Sequence, residues 1–220
     1  MEQRSAADEP SHGSASPAAD RRGPERLEAF SDGVFAIAIT LLVLEIRVPP
    51  AEDLASSQLL IAALGALWPS YLGYAISFIT VGIMWANHHN LMRLVATVTH
   101  GLIMANLLLL LLVGFVPFPT ALLAATLGTP SAQIGVLGYA GTFVGIAVAF
   151  NVLWYALRRS PGVMRPNVAA RSIASISRSY RLGPPGFLVA FLGALISPAL
   201  GMVAIVILVA LYTLPSSSGA

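Results

Sequence analysis

Residues 26–47 read RLEAFSDGVFAIAITLLVLEIR, and this stretch decides the fold. Charged side chains stand at its two ends and an apolar run fills its middle, so a helix from Pro24 to about Arg47 measures about 35 Å. That length crosses the roughly 30 Å hydrocarbon core of a bilayer. Asp32 interrupts the apolar pattern one to two turns inside the helix, where an acid normally faces protein or water. The stretch therefore predicts a membrane helix with one face turned away from lipid.

The composition extends this prediction to the whole chain. Of its 220 residues, 56% are hydrophobic and only 10% are charged, whereas about a quarter of the residues in a soluble domain are charged. Cysteine is absent, which excludes disulfides and thiolate metal sites. No acid follows Asp53, and the net charge of +2 is too small to indicate a nucleic-acid binder. We therefore predict an all-α integral membrane protein.

Six apolar segments lie between two polar tails. Residues 1–23 are expected to be a disordered N-terminal tail, residues 24–214 a six-helix transmembrane domain, and residues 215–220 a C-terminal tail. The six spans are expected at about 24–47, 69–92, 99–118, 133–157, 183–197 and 199–214. Before the second span, SQLLIAALGALW (57–68) is typical of a short interfacial helix.

Prolines set two of these boundaries. Pro117 and Pro119 are expected to stop the third span, because proline cannot donate the hydrogen bond that continues a helix. Ser197-Pro198 divides the last apolar run into two short spans in a tight hairpin, and one kinked helix is the alternative.

With the N-terminus in the cytoplasm, every arginine except Arg47 falls on the cytoplasmic side. Six spans with both termini in the cytoplasm satisfy this rule, although the uncharged last two spans do not decide between five and six.

The first helix carries a distinctive face. Helical projection places these residues on it: Arg26, Phe30, Gly33, Ile37, Thr40, Leu41 and Leu44. A stripe of small residues runs beside them: Ala29, Gly33, Ala36 and Thr40. One interpretation is that this face packs against other helices of the same chain. The other is a pore, in which copies of the helix surround an axis and rings of Ile37 and Leu44 gate ions by dewetting. Because one helix cannot enclose a pathway, the second interpretation requires an oligomer.

Asp32 needs a partner at its own depth. The second span ends in Trp85-Ala86-Asn87-His88-His89 at about that depth, so a hydrogen bond between Asp32 and a histidine is available, with Arg26 nearby. The histidines could instead be solvated at the headgroup boundary, or form a proton relay with Asp32. No metal site is predicted, since adjacent histidines point about 100° apart and no further ligand cluster accompanies them.

Polar residues elsewhere have simpler interpretations. Glu45 and Arg47 are expected at a solvated helix end. The alternative is that Glu45 forms an acidic ring at a pore mouth. Asn106 and Asn151 are expected to form hydrogen bonds between helices. The arginine-rich segment 158–181 follows from topology, with contact to anionic lipid headgroups as a second role. The chain lacks a TVGYG filter, a Walker motif, HExxH and GxSxG, so neither an enzyme nor a cofactor is predicted.

Two motifs point to a known family. Arg26-x-x-x-Phe30-Ser31-Asp32, continuing as GVFAIAITLLVLEI, resembles the first-helix signature of the transmembrane protein 175 family of potassium channels, in its bacterial branch. Residues 70–92, SYLGYAISFITVGIMWANHHNLM, resemble the second helix of that family, including the Trp85-x-x-His88-His89 ending. The resemblance extends over residues 24 to about 214, and its specific motifs lie in the first two helices.

The resemblance implies an architecture and roles for residues. It implies six transmembrane helices per subunit and a homotetramer in which the first helix lines a central pore without a carbonyl filter. Carried over by position, Ile37 forms the narrowest ring, and Thr40 or Leu41 and then Leu44 form layers above it. The motif residues Arg26, Ser31 and Asp32 would bond to the second helix, where Trp85 and His88 or His89 fit as partners.

These observations together predict a potassium-permeable cation channel in the cytoplasmic membrane of a bacterium, with a hydrophobic constriction at Ile37. Its expected partners are other copies of the chain, potassium and other monovalent cations, and membrane lipids. One alternative is a proton-coupled secondary transporter that works through Asp32 and His88 or His89. Another is a membrane scaffold that transports nothing.

Overall fold

The computed structural model describes residues 17–166 and 168–213, and this part of the chain is built from α-helices. They are α1 (Pro17–Leu41), α2 (Ser57–Ala66), α3 (Trp68–Met92), α4 (His100–Phe115), α5 (Pro117–Thr126), α6 (Ala132–Arg159), α7 (Ala170–Ile196) and α8 (Pro198–Thr213). Single 3₁₀ turns follow α1 at Leu42–Glu45 and precede α2 at Ala51–Leu54.

In the part of the chain that the structure describes, five helical stretches are long and apolar enough to cross a membrane. They are Gly23–Glu45, Trp68–Met92, His100–Thr126, Ala132–Arg159 and Ser172–Ile196. The helix α8 is equally apolar but has 16 residues, fewer than the roughly 20 that span a bilayer without tilt or thinning. The structure thus agrees with the predicted all-helical, multi-pass membrane protein.

The helix α6 lies at the centre of the bundle. It packs against α4 and α5 on one side and against α7 and α8 on the other, while α1 packs against α3 and α4. Large apolar side chains of α6 are fully buried, among them Tyr139, Phe143, Ile146, Leu153 and Leu157. A helix this apolar on all sides is typical of the interior of a membrane bundle.

Backbone hydrogen bonds hold two connections together at one end of the bundle. Ala96 N donates to Val163 O (2.7 Å) and Arg165 N donates to Leu94 O (2.9 Å), which joins the α3–α4 loop to the α6–α7 connection. The first half of α1 reaches the same end at Gly23, since a Cβ there would be 3.6 Å from Val98 Cγ2. We call this the arginine end, defined by the arginines at or beside these connections: Arg26, Arg93, Arg158, Arg159 and Arg165.

The first helix begins seven residues earlier than the sequence suggested. Residues 17–23 were assigned to a disordered tail, but α1 starts at Pro17 and continues through Pro24. Proline is favourable at a first helical position. The remaining residues of the predicted tails, 1–16 and 214–220, lie outside the described residues.

Pro117 does not stop the third span. After Val116 the chain resumes as α5, with Pro117 in the first turn of that helix, where a backbone N–H has no intrahelical partner in any case. The third span is therefore the broken pair α4–α5 over His100–Thr126 and not residues 99–118 alone. The second and fourth spans, predicted at 69–92 and 133–157, correspond closely to α3 and α6, and the short helix before the second span corresponds to α2.

The predicted hairpin near Ser197 is present, but its first arm is longer than expected. Ser197 is extended (φ −157°, ψ 136°) between α7 and α8. The helix α7 starts at Ala170 and not at 183, and it contains Pro184 and Pro185. Because Pro184 cannot donate to Tyr180 O, that carbonyl would lack a partner. The Asn151 side chain supplies one, with Nδ2 donating to Tyr180 O at 2.8 Å, which also confirms Asn151 as an interhelical bond.

The hairpin depends on a close approach at Gly201. A Cβ placed there would lie 2.6 Å from Ala194 Cβ and 2.9 Å from Ala194 Cα, so backbone would have to move. We expect Gly201→Ala to lower the thermal unfolding midpoint in detergent by at least about 3 °C, because overpacking costs about 1–3 kcal/mol. The matched control is Gly101→Ala, where a Cβ meets nothing within 4 Å. Equal midpoints for the two variants would contradict the close approach.

Candidate pore-lining helix

One side of α1 is packed into the subunit. Ser31, Phe35, Ala38 and Leu42 are buried, and they recur every three to four residues, the period of a helix face. This side contacts α3 and α4. The packing fixes how α1 is rotated about its own axis, and so decides which side chains point away from the subunit.

Two polar contacts join α1 to α3. Trp85 Nε1 donates to Asp32 Oδ1 at 2.9 Å, and one turn nearer the arginine end His89 Nδ1 lies 2.8 Å from Glu28 Oε1. Glu28 and Asp32 are four residues apart on α1, as Trp85 and His89 are on α3, and the Trp85 and His89 rings stack with centroids 5.9 Å apart. Residues four apart share a helix face, so two antiparallel helices meet in two matched pairs. We call these contacts the α1–α3 ladder.

A buried chain of hydrogen bonds lies beside the ladder. Asn106 of α4 donates through Nδ2 to Ser31 Oγ (2.9 Å) and accepts through Oδ1 from His88 Nε2 (2.8 Å). Ser31 Oγ in turn donates to Leu27 O at 2.8 Å. All three side chains are fully buried. Asn106 therefore connects α1, α3 and α4 at a single point, which confirms it as an interhelical bond.

The direction of this chain sets the state of His88. Because the Asn106 amide nitrogen donates to Ser31, its carbonyl oxygen is the group that faces His88, and Nε2 must carry the proton. In the described part of the chain, His88 Nδ1 is buried without a hydrogen-bond partner. The Phe35 ring packs beside the imidazole with centroids 5.4 Å apart. The neutral imidazole is thus the form that this apolar pocket accommodates best.

The expected bond between Asp32 and a histidine is not formed. The depth argument placed the correct turn of α3 opposite Asp32, but the residue that reaches it is Trp85. His89 pairs with Glu28, and His88 points about 100° away toward Asn106. Sequence reasoning missed Glu28, although the signal was present: Glu28 precedes Asp32 by the spacing that separates Trp85 from His89. Arg26 is exposed and takes no part in either set of contacts among the described residues.

The opposite side of α1 is uncovered in the subunit. The exposed fraction is 60% for Ile37 and 68% for Leu44, and Phe30, Thr40 and Leu41 are exposed as well. The small residues beside them are also exposed: Ala29, Gly33 and Ala36. A Cβ on Gly33 would meet nothing within 4 Å. The interpretation that this face packs against other helices of the same chain is therefore wrong.

The end of this face that lies away from the arginine end contains the polar group of Thr40. Its Oγ1 donates to Ile37 O at 2.9 Å, so the hydroxyl proton is directed into the helix and the oxygen lone pairs remain available. Leu44 and Glu45 follow in a 3₁₀ turn, where Leu44 is exposed and Glu45 half-buried. Within the described residues, no three histidines, aspartates or glutamates are grouped to hold a metal ion.

These features define a multi-pass helical membrane protein whose first helix is tied to the subunit on one side and bare on the other. The model of the family described as "Endosomal/lysosomal potassium channel TMEM175" matches residues 26–117, the region that holds α1 from Arg26 onward, the ladder and Asn106. A potassium channel of Chamaesiphon minutus is 44% identical over 193 residues, which cover 88% of this chain and 95% of the relative. The chain belongs to the TMEM175 family, whose description is that of an ion channel and not of an enzyme.

Two further comparisons locate the similarity. The crystal structure of a lysosomal potassium-selective channel TMEM175 homologue from Chamaesiphon minutus matches with a TM-score of 0.78 at 44% identity, covering 89% of this chain and 98% of that one. The human endosomal/lysosomal proton channel TMEM175 is 36% identical over 151 residues, which are 66% of this chain and 30% of the human protein. The bacterial channel thus matches along nearly its whole length, and the human protein over one part.

Asn106 offers a direct test of the buried chain. We expect Asn106→Leu, which keeps the branching of the side chain, to lower the thermal unfolding midpoint by about 3–8 °C, since it removes the partner of His88 Nε2 and one of the two bonds of Ser31 Oγ at a cost of about 1–3 kcal/mol. Asn90→Leu is the matched control, because Asn90 is exposed on α3. If both variants unfold at the same temperature in the same detergent, the bridge does not stabilise the bundle.

Proposed function

We propose that this chain is a subunit of a potassium-permeable cation channel, with α1 lining the pore. One observation carries the proposal: the face of α1 that holds Ile37, Thr40, Leu41 and Leu44 is uncovered, while the opposite face is fixed by the ladder and by Asn106. Potassium is the proposed ion because the bacterial relative that matches along 95% of its length is named a potassium channel.

The bare face requires more than one copy of the chain. A single α1 cannot surround an ion, so the pathway has to form between subunits, and a homotetramer is the assembly we propose. The exposed stripe of Ala29, Gly33 and Ala36 supports close approach of a neighbouring helix, because small side chains let helix backbones come together in a bilayer. The stripe lies about 40–100° to one side of Ile37 on the helix, so that edge can meet a neighbour while the Ile37 edge faces the axis.

Within this assembly, Ile37 is the proposed constriction. Four β-branched side chains around one axis form an apolar ring, and such rings close a pore by expelling water. Leu41 and Leu44 extend the apolar lining outward, and Thr40 lies between Ile37 and Leu41. Since the Thr40 hydroxyl donates its proton to Ile37 O of the same helix, the lone pairs of Thr40 Oγ1 can coordinate a cation at that layer. Glu45, one residue beyond Leu44, is the proposed source of negative charge at the outer mouth.

The membrane orientation follows from the arginines. The α3–α4 loop and the α6–α7 connection are bonded together and hold Arg93, Arg158, Arg159 and Arg165, whereas Arg47 follows the far end of α1. Basic loops favour the cytoplasm, so we place the arginine end and both termini on the cytoplasmic side of a bacterial cytoplasmic membrane. The helix α8 then serves as a sixth, short span, paired with α7 along its length and accommodated by local thinning of the bilayer.

Proton passage is the second candidate. The human relative is named a proton channel, and Asp32 and His88 both lie on or beside the proposed pore helix. The structure does not connect the two groups, because Asp32 accepts from Trp85 and His88 bonds to Asn106. A relay through both would need a rearrangement of the ladder. No observation favours a scaffold without transport.

Ion flux from liposomes tests the channel and its gate together. We expect the reconstituted protein to pass potassium faster than sodium under an imposed voltage, without saturation. Ile37→Asn should raise the ion leak at least about tenfold, because a polar ring holds water and lowers the barrier to ion passage. Each reduction of about 1.4 kcal/mol in that barrier raises the rate tenfold. The matched control is Ile207→Asn, the same change at an isoleucine of α8 that is 53% exposed. An unchanged leak in a correctly assembled Ile37→Asn protein would remove Ile37 from the gate.

Asp32→Asn separates the two candidates. In a channel, the asparagine oxygen still accepts a hydrogen bond from Trp85, and the change weakens one charge-assisted bond by about 1 kcal/mol. We therefore expect potassium flux to change by less than about tenfold. In a proton-coupled transporter, the same change abolishes a saturable flux that follows the pH gradient. The measurement is potassium flux with and without a pH gradient, and Glu28→Gln is the control for loss of a carboxylate on the same helix.

A further inference from the structure

A cavity lies on the side of α3 that does not face α1. It has a volume of about 460 Å³ and lies between α3, α6, α7 and α8. Its lining is largely apolar, with Met84, Phe150, Phe187 and Leu208 among its walls. Volumes of 300–1,000 Å³ are typical of sites that hold a small molecule or a lipid chain. The lining residues come from the second halves of α3, α6 and α8 and mostly from the first half of α7, so most of the cavity lies in the half of the bundle nearest the arginine end.

The mouth of the cavity lies next to positive charge. Leu182, which is exposed, lines the cavity, and Arg178 precedes it by one helical turn on α7. Arg178 and Arg181 are the last charged residues before the uncharged stretch 182–213, so they mark the depth of the headgroups. No acid follows Asp53 in the sequence, so α6, α7 and α8 supply no carboxylate to neutralise them. Among the described residues, Arg178 makes no side-chain hydrogen bond or ion pair, and Arg181 Nε donates to Ser177 O of its own helix.

We propose that this cavity binds one anionic phospholipid per subunit. An acyl chain would occupy the apolar space, and the phosphate would lie at Arg178 and Arg181. The charge distribution selects this occupant: an uncharged apolar ligand would not need the arginines, and a soluble anion would not need the cavity. The inference depends on the chain being a membrane protein and not on which ion it conducts.

The site also has a consequence for α1. Thr80 and Met84 line the cavity on one side of α3, while Trp85 and His89 hold α1 from another side of the same helix. A lipid in the cavity therefore packs against the helix that carries the ladder. Loss of the lipid would leave this part of α3 supported only by the protein walls.

Native mass spectrometry of the purified full chain in mild detergent tests the proposal. The probes are phosphatidylglycerol and phosphatidylcholine with the same acyl chains, and the readout is the number of lipids retained per subunit. We expect about one phosphatidylglycerol per subunit, retained at least about fivefold more strongly than phosphatidylcholine, because one arginine near a lipid surface is worth about that factor. Arg178→Gln should remove most of the preference, and the matched charge loss Arg159→Gln, where the guanidinium lies over Tyr155, should not.

A second pair of variants tests the cavity itself. A Cβ on Gly183 would be 3.5 Å from Ala147 Cβ and 3.8 Å from Tyr212 Oη, ordinary contacts, so a larger side chain there extends into the space. We expect Gly183→Leu to lower the retention of both lipids. If Gly183→Leu fails to fold, Ser179→Phe replaces it, because Ser179 lines the cavity and is exposed.

Three results would overturn the proposal. One is equal retention of the two lipids by the unmodified protein. Another is unchanged retention in a folded cavity variant. The third is that the unmodified protein retains no lipid and that the Ser179→Phe variant dissociates into smaller species, which would make the cavity a contact between copies of the chain. None of these measurements involves ion flux, so failure here is distinguishable from failure of the proposed channel.

Discussion

The fold depends on one constraint: polar side chains in a membrane helix need partners inside the protein. The first helix carries Glu28, Ser31 and Asp32 within two turns, and all three are partnered by α3 or α4. In lipid each unpartnered group would cost several kcal/mol, so these contacts fix both the depth and the rotation of α1. Once that side is bound, the opposite side must be bare, because α3 and α4 cannot cover both. The exposed row from Phe30 to Leu44 is thus a consequence of where the polar residues lie.

The same constraint explains how prolines are tolerated in the spans. Pro184 removes the donor that Tyr180 O would otherwise bind, and Asn151 of the neighbouring α6 replaces it. Pro117 meets the constraint differently, by standing in the first turn of α5, where no donor is missing. At these two prolines the missing donor is either replaced by a side chain or not required.

The sequence predicted those features that depend on one helix at a time. Hydropathy and length located α3 and α6 to within a few residues, and the placement of Ser197-Pro198 located the hairpin. Features that depend on a neighbouring helix were missed. The depth of Asp32 predicted the turn of α3 that it faces but not the rotation of that helix, and a difference of about 100° decides between Trp85, His88 and His89. The length of α7 could not be predicted, since proline normally ends a helix unless a partner such as Asn151 is known.

The placement of the contacts along α1 bears on how the proposed pore could widen. The ladder and Asn106 hold residues 28–32, near the arginine end, whereas Ile37 to Leu44 lie beyond them. Among the described residues, the part beyond them is held by apolar packing alone, through Phe35, Ala38 and Leu42. Apolar packing lets side chains slide or change rotamer at lower cost than breaking buried hydrogen bonds, which leaves unsatisfied groups behind. A motion that widens the proposed Ile37 ring can therefore pivot this part of α1 about the fixed segment 28–32, with the ladder intact.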